Sequence, residues 1–275
     1  MIDFLPEVHE IMKLVEAKTG KQVVVTQGSD KFKQALGMSM AAVLPEQVVH
    51  TITYPEKMAM FKDSIVAHEC GRMLRFTSIP DDERYIPIMM PAKLNTNYLR
   101  DVRDDAGGLD PLTEDQINER LDGWVQTISG QLGTWPADIR IEMWLHSEYP
   151  GLREVQAETL RFLSEREYPG LGLDQASSHP AKIYVASSAM SAALTYAYSK
   201  ITGQDLMGPY KASDFYDLGL KLASVAMQEK RNDFHGDCET MKRWATILGI
   251  SGCMEWWPYN NEIIQTKIKL NAYLF

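Results

Sequence analysis

The sequence predicts an α+β fold in one domain, and three observations carry that prediction. Two β-branched runs, Gln22 to Thr26 and Val48 to Tyr54, lie close together near the start of the chain. From Phe61 onward apolar residues recur at helical spacing with few interruptions. No low-complexity linker divides the 275 residues, a length that supports a sizeable core without disulfide or metal staples. The short sheet is therefore expected within about residues 20–60, in an N-terminal part reaching residue 110, with a mainly helical part over 111–275.

Taken in order, Phe4, Val8, Ile11, Met12, Leu14 and Val15 have helical spacing that stops at Gly20, a usual helix terminator. The two β-branched runs follow, the second closed by Pro55, with Ala41 to Leu44 expected near one of them. Ile65, Val66, Met73, Leu74 and Phe76 predict a helix over 61–76, ending before Pro80. Ile79 to Pro91, rich in Pro and Met, reads as irregular. Further helices are expected at 95–104, 113–131, 137–148, 151–166, 180–201, 213–230 and 238–248, with Thr113 and Ser213 as caps before acidic first turns. Glu-Tyr-Pro-Gly-Leu occurs at 148–152 and 167–171, but Pro-Gly is a common helix breaker and nothing around the copies extends the likeness.

Lys plus Arg number 28 against 37 Asp plus Glu, a net charge of -9, so nucleic acid and anionic membranes are not expected partners. Lys230 with Arg231, and Lys267 with Lys269, are the nearest approach to a basic patch. Cys70, Cys238 and Cys253 are an odd number with no C-x-x-C spacing, which suits a reducing compartment. The first residues are acidic and lack the apolar core of a signal peptide, so a cytoplasmic protein is expected. The 17 uncharged residues between Lys182 and Lys200 are too few and too rich in Ser and Thr for a membrane span. They read as a core helix with a small-residue face suited to close packing.

Chemistry concentrates in Ser64 to Phe76. On a helix His68 and Arg72 share a face, with Glu69 beside His68. A histidine at position 72 would complete H-E-x-x-H, in which two imidazoles hold zinc and the Glu takes a proton from metal-bound water. An arginine has no lone pair for a cation, so the segment supplies one metal ligand, His68, and one base, Glu69.

The order of elements, an N-terminal helix, two strands and then the Ala-His-Glu-Cys-Gly-Arg-Met-Leu-Arg-Phe helix, resembles the zincin core of the ImmA/IrrE-like metallopeptidases, with one ligand replaced. The resemblance covers residues 1–76 and implies a third zinc ligand, a Glu from a later helix. Pro136 to His146 offers it, because Asp138, Glu142 and His146 stand four apart on one helix face. If Glu142 is that ligand, His146 could replace the imidazole lost at position 72, with Arg72 and Asp138 in the same cleft.

Two readings stay open. In one, zinc on His68, Glu142 and His146 polarises a peptide carbonyl while Glu69 takes the water proton, giving a metallopeptidase of impaired activity. In the other, Arg72 neutralises Glu69 or Glu142, and the chain is a pseudoenzyme that binds or senses a peptide or protein partner. Glu154 and Glu158 form a second acidic pair, read as a solvated helix face. Trp256-Trp257-Pro258-Tyr259 reads as a packing anchor. His235, Asp237 and Cys238 read as a loop entering a helix, with Asp237 as its cap.

Overall fold

A computed structural model describes residues 2–28, 37–42, 47–89, 104–106, 113–167 and 179–259. Helix α1 (Pro6–Thr19) starts with Pro6 in its first turn and ends at Gly20, whose φ of 72° only glycine adopts without strain. Strands β1 (Gln22–Gly28), β2 (Met38–Met40) and β3 (Val49–Pro55) form a sheet in the order β1-β3-β2. β3 runs parallel to β1 and antiparallel to β2. His50, Ile52 and Tyr54 alternate inward along β3 and are buried. A 3-10 turn over Glu56–Phe61 leads into α2 (Lys62–Phe76), the motif helix, which is buried on nearly every side because α1, the sheet and later helices all pack on it.

The remaining elements are mostly helical, as expected of an α+β chain. They are α3 (Glu114–Glu148), α4 (Arg153–Glu167), α5 (Ala181–Thr202), α6 (Tyr216–Gln228) and α7 (Phe234–Ile247). Among the described residues no helix is long and apolar enough to cross a membrane. The uncharged segment is α5, and its small residues do allow close packing: a Cβ on Gly219 of α6 would lie 2.5 Å from the Ala192 Cβ.

Four expectations need correction. The helices at 113–131 and 137–148 are one, α3, begun by a capping box between Thr113 and Gln116 and running through Pro136. Proline costs a helix one hydrogen bond, and here Ile128 and Leu132 before it and Ile139 after it are held in the same core. Strands are not confined to residues 20–60: β4 (Tyr85–Met89) lies in the stretch read as irregular and pairs antiparallel with β5 (Met254–Pro258). Pro87 obscures β4, yet a two-stranded ribbon tolerates a residue without an N–H. Ser213 does not cap α6, which starts at Tyr216; its hydroxyl bonds the Tyr210 carbonyl instead. The last helix begins at Phe234, four residues early, with Asp233 as its cap. The helix expected at 95–104 lies outside the described residues except at its final position.

The apolar interior has two main parts. One joins α1, the sheet and α2 to Ile141, Leu145 and Leu152. The other surrounds Leu121 to Ile139 of α3 with α5, α6 and Trp244 of α7. A smaller cluster holds Trp257 and Tyr259 against Ile86 and Phe76, so the aromatic segment does pin β5 to β4.

Candidate functional site

Helices α2 and α3 approach closely at Gly71, where a Cβ would stand 2.6 Å from Ile141 Cγ2. That approach brings the neighbouring charges of the two helices together. Arg72 grips Asp138 through Nε at 3.0 Å and through Nη2 at 2.9 Å to both carboxylate oxygens. Its remaining nitrogen, Nη1, reaches Glu69 Oε1 at 3.4 Å. His68 lies between two carboxylates, with Nδ1 donating to Glu142 Oε1 at 2.6 Å and Nε2 standing 3.3 Å from Asp138 Oδ1. The opposite ends of one imidazole are thus both engaged.

The chain of contacts extends further each way. Ser39 of β2 donates to Glu69 Oε2 at 2.5 Å. Gln156 of α4 donates through Nε2 to Glu142 Oε2 at 2.6 Å and to the Glu142 carbonyl at 2.9 Å. Its Oε1 accepts from His146 Nδ1 at 3.2 Å. Glu69, Asp138 and Glu142 are buried, as Gln156 is, whereas His68 and Arg72 retain some exposure. Burial alone would lower the His68 pKa, but its bonds to Asp138 and Glu142 outweigh that and raise it to about 10. Burial opposes the charge of Asp138 too, and Arg72 and His68 overcome it, holding the carboxyl below its usual range.

A second buried cluster lies behind the first. Arg75 donates to Asp237 Oδ1 at 2.9 Å and to Asn232 at 2.5 Å, and Arg140 of α3 bonds the same Asp237 oxygen. Asp237 is therefore not the cap of α7 but the shared counter-ion of two arginines. Burial pushes its pKa up to about 6 against the pull of Arg75 and Arg140. Together the two clusters set four cations, His68, Arg72, Arg75 and Arg140, against the four carboxylates Glu69, Asp138, Glu142 and Asp237. Burial likewise raises the Cys70 and Cys238 thiols, the latter to about 12, which leaves them poor nucleophiles at neutral pH.

Every residue anticipated for the site is accounted for. His68, Glu69, Arg72, Asp138 and Glu142 come together, while His146 joins only through Gln156. Ser39 and Gln156 are not anticipated from the sequence. For Gln156 a signal exists: it stands four residues from both Leu152 and Leu160, on the apolar stripe of α4. Glu154 and Glu158 are not among these contacts, and Glu154 is exposed.

This arrangement does not fit a zinc ion. Glu142 and Asp138 face opposite ring nitrogens of His68, so the three side chains do not converge on one point, and His146 is turned to an amide. Among the described residues no three His, Cys, Asp or Glu side chains form a group that could hold a metal. Comparison of the chain with protein-family models, with curated proteins and with solved structures yields no match.

Proposed function

We propose that the chain is a zincin-like pseudoenzyme, a binding or sensing module for a peptide or protein in which an arginine has taken over the electrostatic task of a metal. The observation that carries this reading is the three-contact grip of Arg72 on Asp138, with its last nitrogen turned toward Glu69. A guanidinium is permanently charged and repels a dication a few ångströms away. The same contacts engage Glu69, which as a general base would need its carboxylate directed at a water. Support for a peptide or protein partner comes from β2, at the end of the sheet order, whose Ser39 touches the motif helix directly. Acidic composition argues against nucleic acid and anionic lipid as partners.

The test is metal content and peptidase activity. Protein purified, incubated with zinc and dialysed should retain well under one equivalent and leave an unfolded protein substrate uncut. One equivalent of zinc, lost in His68→Ala, together with zinc-dependent cleavage would overturn the proposal in favour of a working metallopeptidase.

A further inference from the structure

His50 is fully buried at the start of β3, and its hydrogen bonds fix its tautomer from both sides. On one side the Ala42 N–H donates to Nδ1 at 2.9 Å, which requires a bare lone pair there. On the other, Nε2 lies 2.8 Å from Thr19 Oγ1. That hydroxyl spends its own proton on the Val15 carbonyl at 2.8 Å, so it accepts from Nε2–H. The ring is therefore neutral, with its proton on Nε2. Ala42 is held a second time, by Lys21 Nζ on its carbonyl at 2.8 Å. It lies two residues beyond β2, the strand whose Ser39 contacts Glu69.

The geometry points to His50 as a pH-sensitive latch that fastens the β2 segment to the sheet when neutral and releases it when protonated. A proton added at Nδ1 would set one N–H against another at the distance of a hydrogen bond and take away the acceptor of the Ala42 amide. It would also place a second cation near Lys21. Among the described residues the charged groups facing the ring are Lys21, which disfavours the proton, and Glu16 of α1, which favours it. Glu16 is itself engaged, accepting from the Val23 N–H at 3.1 Å, and burial joins Lys21 to keep the ring neutral, lowering its pKa. Release loosens Ala42 first and then the Ser39 contact to the motif helix. The latch stands apart from the proposed loss of metal chemistry and holds or fails independently of it.

Nitrogen-15 spectroscopy of the full chain tests this directly. At pH 7 the His50 ring should show a bare Nδ1 and a protonated Nε2. As pH falls, its protonation should coincide with shifts of the Ala42 and Ser39 amide signals. Exchange of the Ala42 amide, corrected for its intrinsic pH dependence, should accelerate by about tenfold, as for loss of one buried hydrogen bond. In His50→Gln, whose amide can both accept and donate, that coupled transition should be absent while the fold persists. A proton on Nδ1 at pH 7, ring titration that leaves Ala42 and Ser39 unmoved, a ring that protonates only on global unfolding, or the same transition in His50→Gln would each overturn the latch.

Discussion

Arg72 closes side-on over Asp138, with Nε and Nη2 on one carboxylate oxygen at 3.0 and 2.9 Å, and this pair couples the motif helix to α3. Removing either partner leaves the other charged and largely buried. Arg72→Met or Asp138→Ala should each destabilise the protein by about 3–5 kcal/mol in denaturant unfolding, with the double variant costing clearly less than the sum. Additive effects would mean that the pair contributes no coupling.

Substituting the guanidinium by an imidazole tests the electrostatic substitution itself. Arg72→His restores H-E-x-x-H, removes a fixed cation and frees Asp138. Zinc affinity, measured by competition with a chelating indicator, should rise by orders of magnitude over the parent. If it does not rise in a folded variant, α2 does not line a latent metal cleft, and the zincin resemblance loses its basis.

Two aspartates near the start of α7 should behave very differently. Asp233 caps the helix through the Gly236 N–H at 2.8 Å, so Asp233→Ala should cost about 1 kcal/mol. Asp237→Ala strands Arg75 and Arg140 together in the interior and should cost at least about 3 kcal/mol. Equal losses would return Asp237 to an ordinary helix-end role.

The lowered pKa of His50 gives stability a pH dependence of known sign. The unfolded ring takes up a proton from about 6.5 downward while the folded one resists, so stability falls with pH from there until the folded ring also protonates. The slope from this group cannot exceed about 1.4 kcal/mol per pH unit. Comparing His50→Gln with the parent across pH 4–8, within ~4 units of range, isolates it, since every other group is common to both. Parallel curves would contradict the assignment.

Glycines on two helices should respond in opposite directions to alanine. Gly219 of α6 packs on Ala192, and backbone atoms of α5 lie only 3.2 Å from the place an added methyl would take, so Gly219→Ala should destabilise by about 1–3 kcal/mol. Gly123 is exposed on α3 with no described atom within 4 Å of that place, and Gly123→Ala should stabilise by about 0.5–1 kcal/mol. Both are read from thermal or denaturant melting.

What can be read in the sequence is what local periodicity encodes. The spacing of Ile65, Val66, Met73 and Leu74 locates α2, and β-branched runs locate β1 and β3, because those signals depend on neighbours in the chain. The β4–β5 ribbon depends on Tyr85 meeting Pro258 across most of the sequence, and no local pattern records that encounter. The common cleft of Arg72 and Asp138 is implied by the zincin resemblance, with helical phase choosing the residues on each helix, and their contact is found. Ser39 carries no charge to betray it, and Gln156 is marked only by its place on the apolar stripe of α4. Asp237 misleads because a carboxylate near a helix start is usually a cap, and only the fold reveals two arginines arriving from other helices.

The unbroken course of α3 through Pro136 reaches beyond its local geometry. Its 35 residues span about 52 Å, and consecutive turns belong to different interiors: Ile139 packs with the α5–α7 side, Ile141 and Leu145 with the α1, α2 and sheet side. A single rigid element is thus a structural wall of both halves. Unfolding of α3 would therefore expose apolar surface of both parts of the interior at once.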